Sequence, residues 1–176
     1  MARLKDDMVP FLTAQEIQVL VKKLAKQVER DFAGQDIVLI CNLKGSILLA
    51  ADLSRALDLP QKIDFVKLRS SRDRNTQNYV VNIQKDITMN IADKAVIIVE
   101  EIIDNARTVS FLKERLMAAG PRTVRVLTLL DKPARRVVPL KPDYIGKTIE
   151  DRFVVGYGMD EEEKGRNYSD IYFLRN

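Results

Sequence analysis

The first part of the chain places apolar residues at helical spacing. The set that recurs every three or four positions is Ile17, Leu20, Val21, Leu24 and Val28. Thr13, followed by Gln15 and Glu16, is the residue type that begins a helix as its N-cap. Gly34 is the residue type that ends one. The pattern therefore predicts an amphipathic helix between Thr13 and Gly34.

Beyond this helix, short apolar runs alternate with further helical patterns. The runs predict strands at 37–41, 63–68, 79–83, 95–99, 123–130 and 153–155. Helices are predicted at 46–57 and 109–119, and the polar residues 69–77 are typical of a turn. Helices alternate with strands over the first two-thirds of the chain, which favours a parallel sheet covered on both faces. We therefore expect an α/β protein with a single domain over residues 1–176.

The composition is that of an ordinary globular domain, with 46% hydrophobic and 31% charged residues. The chain has no apolar run of about 18 residues, and its N-terminus lacks the apolar core of a signal peptide. We therefore expect a cytoplasmic protein without a membrane span. The formal charge of +4 suits anionic ligands. Nucleic acid is not an expected partner, because there is no basic tail and only 6% of residues are aromatic.

The reactive side chains narrow the possible chemistry. The chain contains no histidine, which excludes Ser-His and Cys-His catalysis and most zinc sites. The one cysteine, Cys41, lies in an apolar strand pattern. A buried structural thiol is therefore its expected role.

The most informative stretch is 96–108, where a buried-strand pattern ends in acids. Glu100, Glu101 and Asp104 are followed at once by the polar turn 105–108 and then by a helical pattern. Backbone N–H groups at a helix start can bind a phosphate, and carboxylates can bind sugar hydroxyls or Mg²⁺. Acids at strand ends also occur in ordinary solvated loops. The apolar pair at 102–103 favours a binding site, because it anchors the segment while the acids cluster.

This stretch, VEEIIDNART, resembles the ribose-5-phosphate signature of the type I phosphoribosyltransferases. More narrowly, it is similar to that of the hypoxanthine-guanine phosphoribosyltransferases, usually two acids and two apolar residues followed by Asp-Thr-Gly-x-Thr. The resemblance implies a mostly parallel sheet flanked by helices, with a small hood formed by the terminal segments. It also implies that Glu100 and Glu101 hold the ribose. The 5-phosphate would be cradled by Asp104, Asn105, Ala106, Arg107 and Thr108.

A second motif, Leu43-Lys44-Gly45-Ser46, lies where a predicted strand passes into a helix. Free backbone amides, a lysine and a glycine suit a pyrophosphate, although a plain helix start with a surface lysine has the same pattern. The resemblance implies that Leu43, Lys44 and Gly45 form the pyrophosphate loop, often with a cis peptide between Leu43 and Lys44. It also implies that Arg166, which alone would pass for a surface residue, binds the pyrophosphate.

Two further motifs concern a purine base. Lys132 follows the strand predicted at 123–130, at an edge where α/β proteins bind ligands. The resemblance implies that Lys132 donates to the exocyclic oxygen of a 6-oxopurine, which selects hypoxanthine or guanine against adenine. In the block 151–160 it implies that Phe153 stacks on the purine, that the Val154 backbone contacts the base edge, and that Asp160 lies beside the metal and the purine. An ordinary core strand would explain Val154 but not the whole block.

The activity that the resemblance implies is purine salvage. The ribose-5-phosphate of phosphoribosyl pyrophosphate is transferred to hypoxanthine or guanine, giving IMP or GMP and pyrophosphate. Asp104 is the expected general base for the purine N7 proton, with Lys132 as the second catalytic group. The expected cofactor is Mg²⁺, held by Glu100, Glu101 and Asp160. A homodimer or homotetramer is usual in this family.

Departures from the family pattern leave alternatives open. Ser70 fits the serine of the family's mobile lid loop, but Ser71 stands where its tyrosine would be. Asn105 stands for threonine, and Ala106 stands for glycine. A positive φ at position 106 would cost alanine about 1 kcal/mol. One alternative is a catalytically degraded, nucleotide-binding regulator with this fold, and another is an enzyme for a different base such as xanthine.

Overall fold

The computed structural model describes residues 8–72 and 79–175. In chain order its elements are β1 (Met8–Leu12), α1 (Ala14–Asp31), β2 (Ile37–Leu43), α2 (Ile47–Ala56), β3 (Gln61–Arg72), β4 (Tyr79–Lys85), β5 (Ala95–Ile103), α3 (Arg107–Met117), β6 (Thr123–Asp131), a short 3₁₀ helix (Pro133–Arg135), β7 (Tyr144–Thr148), β8 (Val154–Val155) and β9 (Ile171–Leu174). None of the helices in these residues is long and apolar enough to cross a membrane.

The larger sheet has the strand order β4-β3-β2-β5-β6-β7. Neighbouring strands are parallel except β4, which runs antiparallel to β3 at one edge. Cys41 of β2 lies opposite Val99 of β5, and Ile103 of β5 lies opposite Asp131 of β6. The carboxyl ends of β2, β5 and β6 therefore meet at one edge. The prediction of an α/β protein with a mostly parallel sheet is confirmed.

Apolar side chains fill both faces of this sheet. On β2, Leu39 and Cys41 belong to the core under α1 and α2, whereas Val38 and Ile40 belong to the core under α3. This alternation follows from the period of two along a strand. The predicted first helix is confirmed as α1, where Thr13 forms a capping box with Glu16. Cys41 is fully buried, and burial raises the pKa of its thiol to about 12.

A second, three-stranded sheet, β1-β9-β8, forms a hood from the two ends of the described chain. Both β1 and β8 pair antiparallel with β9. The ring centroids of Phe11 and Phe173 lie 4.1 Å apart, and the backbone N–H of Ala14 donates to Asp170 Oδ1 at 2.7 Å. The predicted hood is therefore confirmed. Its last strand fixes the purine block, because the N–H of Leu174 donates to the carbonyl of Phe153.

Some predicted elements need correction. Residues 69–72 continue β3 instead of forming a turn, because β4 pairs with them through Arg69–Asn82 and Ser70–Val81. The rest of the predicted turn, 73–77, lies outside the described residues. β5 extends through the acids to Ile103, since β6 pairs alongside it as far as Asp131. The short strands β1, β7 and β9 were not predicted, and each has only four or five residues.

Candidate active site

A cavity of about 260 Å³ lies at the carboxyl edge of the sheet. It is lined by Asn42, Leu68, Ser70, Glu100, Glu101, Ile102, Ile103, Asp104, Asn105, Ala106, Thr108 and Val109. A larger cavity of about 620 Å³ lies at the opposite edge, beside the starts of β2 and β3. The smaller cavity is the candidate site, because parallel sheets bind ligands beyond the carboxyl ends of their strands.

The floor of this cavity carries two adjacent acids at the end of β5. Glu100 is 6% exposed, and Asn42 Nδ2 donates to its Oε1 at 3.2 Å. Burial and the neighbouring Glu101 raise the pKa of Glu100, while the Asn42 hydrogen bond opposes the rise. Burial also raises the pKa of Glu101, although the positive charge of Arg166 acts to lower that pKa. Two adjacent acids, one buried and one partly buried, are costly to ionise together unless a cation or hydroxyl donors reach them.

Glu101 also has an unsatisfied atom, since its Oε2 is buried and has no hydrogen-bond partner. The same carboxylate packs against Gly45, where a Cβ would overlap it. Any larger residue at position 45 would therefore displace the Glu101 carboxylate. A buried acceptor without a partner is expensive, and in a cavity wall it is typical of a ligand site.

The turn between β5 and α3 has the geometry of a phosphate cradle. Ala106 is the N-cap of α3 with a left-handed backbone, φ 67° and ψ 3°. The side chain of Asn105 accepts a hydrogen bond from the backbone N–H of Arg107 at 3.0 Å and so supports the turn. Thr108 and Val109, the next residues in the first turn of α3, line the cavity. The first turn of a helix leaves backbone N–H groups free for an anion. The guanidinium of Arg107 lies 4.5 Å from the ring centroid of Tyr79.

A second cleft, of about 440 Å³, adjoins the loop after β2. It is lined by Leu43, Lys44, Lys67, Leu68, Arg69, Gln84, Glu163 and Arg166. The peptide bond between Leu43 and Lys44 is cis. Lys44 Nζ lies 2.8 Å from Glu163 Oε2, and Arg166 Nη2 lies 3.2 Å from the same oxygen. Arg166 also pairs with Asp160 at 2.7 Å. The structure thus brings the predicted pyrophosphate residues together around one carboxylate.

The third part of the site surrounds Lys132, which is 5% exposed. Its backbone N–H donates to the carbonyl of Ile103 at 3.0 Å, so the lysine is held against the end of β5. Burial lowers the pKa of the Lys132 ammonium, and the charges of Asp104 and Asp151 oppose that shift. A plain surface lysine is therefore excluded. Among the remaining purine residues, Phe153 is 50% exposed and Val154 is buried in the hood.

Two arginines that the sequence did not single out organise this region. Arg135 Nε donates to Asp104 Oδ1 at 2.9 Å, and Arg135 Nη1 donates to Asp151 Oδ2 at 3.3 Å. The side chain of Arg136 is 14% exposed and pairs with the buried Asp131. It also donates to the carbonyls of Ile103, Asp104, Lys132 and Leu140. Two consecutive arginines after a buried strand were the available signal in the sequence.

Most of the predicted site residues line one of the two cavities. Glu100, Glu101, Asp104, Asn105, Ala106, Thr108 and Ser70 line the first cavity, and Leu43, Lys44 and Arg166 line the adjoining cleft. Ser71 lies in β3 opposite Val80, on an exposed stretch. Within residues 8–72 and 79–175, no group of three or more acids, cysteines or histidines could hold a metal by itself. Asp160 is engaged by Arg166 and by the N–H of Glu163.

An acid pair beside a helix N-terminus, with a cationic cleft next to it, is chemically suited to a phosphorylated sugar. The phosphoribosyl transferase domain model matches residues 11–162. The chain therefore belongs to the phosphoribosyltransferase family.

Its relatives place the resemblance more narrowly. A hypoxanthine-guanine phosphoribosyltransferase of Mycobacterium tuberculosis is 37% identical over 167 residues, which covers 92% of this chain and 83% of that protein. One from Streptococcus pneumoniae is 38% identical over 160 residues, covering 91% and 89%. A crystal structure of the Bacillus anthracis hypoxanthine-guanine phosphoribosyltransferase superimposes with a TM-score of 0.90 at 44% identity, covering 94% and 98%. The resemblance inferred from the motifs is confirmed.

Proposed function

We propose that this protein is a purine salvage enzyme that transfers ribose-5-phosphate from phosphoribosyl pyrophosphate to hypoxanthine or guanine. The products are IMP or GMP and pyrophosphate. The observation that carries the proposal is the acid pair Glu100–Glu101 beside the left-handed turn at Ala106, with Lys132 held directly after the next strand. Relatives named for this activity cover more than nine-tenths of the chain.

The proposed chemistry is a substitution at the anomeric carbon. The bond from C1′ to the pyrophosphate oxygen breaks, and the bond from C1′ to purine N9 forms. Asp104 takes the proton that leaves N7 of the base, and pyrophosphate departs with the electron pair of the broken bond. A general base of this kind contributes about 10²–10⁴-fold to a rate. Lys44 and Arg166 would balance the charge that develops on the leaving group.

The ribose and its phosphate would occupy the first cavity. The carboxylates of Glu100 and Glu101 are acceptors for the ribose hydroxyls, and the orphaned Oε2 of Glu101 supports this assignment. The N–H groups at the start of α3, with residues 104–108, would bind the 5-phosphate. Arg107, which stacks on Tyr79, adds a positive charge beside that phosphate.

The donor set also fits Mg²⁺. Magnesium is held by one or two carboxylates together with substrate phosphates, so a cluster of three protein ligands is not required. Glu100 and Glu101 are the residues that would hold the ion, and Asp160 could join them if Arg166 turns towards pyrophosphate. When bound, Mg²⁺ supplies positive charge to the ribose and pyrophosphate oxygens.

Lys132 and the hood would select the base. A buried ammonium is suited to a 6-oxo group, which accepts a hydrogen bond, and not to the 6-amino group of adenine, which donates one. Phe153 provides a half-exposed ring for stacking, and the Val154 backbone lies beside it. We also propose that the protein acts in the cytoplasm as a homodimer or homotetramer, which light scattering of the purified protein would test.

A panel of bases with phosphoribosyl pyrophosphate and Mg²⁺ tests the proposed function. Hypoxanthine and guanine should be converted to their mononucleotides, and adenine should not react. Release of pyrophosphate and formation of the nucleotide should match one to one. Tight binding of IMP or GMP without any turnover would contradict the proposal and favour the regulator that Ala106 and Ser71 leave open.

A further inference from the structure

We propose that Arg135 is a positioning residue, which holds the Asp104 carboxylate in place and ties the phosphoribosyl turn to the purine segment through Asp151. This inference rests on the proposed function, because it needs Asp104 to act as the general base. None of the sequence motifs that identify the family includes Arg135.

The contacts of Arg135 join two separate parts of the site. Its Nε donates to Asp104 Oδ1 at 2.9 Å, at the end of β5. Its Nη1 donates to Asp151 Oδ2 at 3.3 Å, in the segment that leads to Phe153. Asp104 lines the cavity expected to hold the ribose phosphate. Asp151 lies two residues before Phe153, which is expected to stack on the purine. One planar guanidinium therefore fixes the relative position of two carboxylates from different loops.

The backbone that carries Arg135 is itself anchored. The 3₁₀ helix Pro133–Arg135 begins directly after Lys132, and the N–H of Arg135 donates to the Lys132 carbonyl at 3.1 Å. The adjacent Arg136 donates to the carbonyls of Ile103 and Asp104 and pairs with Asp131. Arg136 therefore holds the backbone at both ends of the Arg135–Asp104 contact, which limits the positions that the Asp104 carboxylate can take.

The hydrogen bonding of the Asp104 carboxylate leaves one of its two oxygens free to act as a general base. Oδ1 accepts the hydrogen bond from Arg135, and in the part of the chain that the structure describes no donor contacts Oδ2. Oδ2 is thus available for the purine proton. The hydrogen bond with Asp104 raises the pKa of Arg135, so the guanidinium keeps its charge at any working pH. The side chains of Arg135 and Asp104 are 49% and 40% exposed. Such exposed pairs add little to stability.

Loss of Arg135 should therefore impair turnover with little change in folding. Arg135→Met keeps the length of the side chain and removes the charge. Its kcat for hypoxanthine should fall about tenfold, because a slightly misplaced base loses much of its effect. The KM for phosphoribosyl pyrophosphate and the melting temperature should stay close to native. Arg135→Lys should recover part of the turnover, since one ammonium can serve Asp104 but cannot bridge both carboxylates.

The matched control is Arg125→Met. Arg125 Nη1 pairs with Asp143 at 2.7 Å, and its side chain is 51% exposed, which resembles Arg135 in charge and exposure. This pair lies at the start of β6, away from the carboxyl edge of the sheet. Its loss should leave kcat and both KM values unchanged.

A double-mutant cycle separates positioning from a general structural effect. In an Asp104→Asn background, Arg135→Met should have no further effect on single-turnover rate, because its target is gone. The same tenfold loss in both backgrounds, or an unchanged kcat in the single variant, would overturn the inference. Absence of turnover in the native protein would instead overturn the proposed function, and this inference with it.

Discussion

At the scale of the residue, the site contains several residues whose local environment is costly in free energy. Ala106 holds a left-handed backbone where glycine is the natural choice, and it is buried. Lys132 carries its ammonium in a buried position. Glu101 keeps an acceptor without a donor. Local strain and unpaired polar atoms of this kind are concentrated at functional sites.

Ala106→Gly should stabilise the protein. A φ of 67° costs alanine about 1 kcal/mol, whereas glycine adopts it without that cost. The free energy of unfolding in urea should therefore rise by about 1 kcal/mol. The matched control is Ala118→Gly at the other end of α3, where φ is −64°. There glycine should lower stability by about 0.5–1 kcal/mol. The same sign for both changes would contradict a left-handed strain at position 106.

Lys132→Met should impair use of the base more than use of the sugar phosphate. The variant keeps the volume of the buried side chain and removes a charged donor, whose hydrogen bond contributes about 1.5–3 kcal/mol. The specificity constants for hypoxanthine and guanine should fall accordingly, while calorimetry should show nearly native binding of phosphoribosyl pyrophosphate. Lys94→Met, on the exposed surface at the opposite edge, serves as the control. Equal losses for both substrates would assign Lys132 a structural role.

At the scale of the element, the loop after β8 places an anion where pyrophosphate is expected. Oε2 of Glu163 contacts both Lys44 and Arg166. The hydrogen bonds from these two residues lower the pKa of Glu163, so the carboxylate is charged and competes with an incoming pyrophosphate. Glu163→Gln should tighten pyrophosphate binding about threefold in calorimetry.

The neighbouring Glu162 provides the control for that prediction. It is exposed on the same turn, and its backbone φ of 49° resembles the 65° of Glu163. Glu162→Gln removes the same charge without a contact to Lys44 or Arg166, so it measures the long-range effect alone. An equal gain in the two variants would show that net charge, and not the bridging contact, governs the affinity.

The long elements could be predicted from the sequence, and the short ones could not. The helix α1 and the strands β2, β5 and β6 carry strong periodic patterns or long apolar runs, and they were predicted within a few residues. The strands β1, β7 and β9 have four or five residues each, too few to establish a period. Residues 69–72 are polar but extended, because pairing with β4 overrides their local preference.

The same division holds for the candidate site. The acids of β5 and the lysine after β6 follow directly from strands, so their common edge was predictable. Arg135, Arg136 and Glu163 act through contacts between segments 16 to 119 residues apart in sequence. No pattern along the chain indicates such contacts, although the family resemblance placed the residues around them.

At the scale of the whole molecule, the loss of stability at low pH should depend on Asp64 in β3. Burial raises the pKa of Asp64, but hydrogen bonds from the N–H groups of Thr88, Met89 and Phe65 outweigh it and lower the pKa to about 2. The contacts tie β3 to the segment that leads into β5. A lowered carboxylate pKa stabilises the fold above about pH 4, and this contribution is lost as the pH falls towards 2.

The pH dependence can be measured directly. At pH 6, Asp64→Asn should be less stable than the native protein by about 2 kcal/mol, and the difference should close as the pH falls to 2. Urea unfolding at a series of pH values provides the measurement. Asp36→Asn, at an exposed position, should follow the native curve. A difference that stays constant from pH 6 to pH 2 would mean that ionisation of Asp64 is not its source.

Because of the hood, the two halves of the active site should become able to bind their ligands at different times during synthesis. β1 is translated before the strands of the central sheet, whereas its partner β9 is translated after them. The segment that carries Phe153 is bound to β9 through Leu174, so it has no fixed place until then. The central sheet contains its acids and phosphate turn by residue 117 and can form earlier. A nascent chain should therefore gain affinity for the sugar phosphate well before it can recognise a purine.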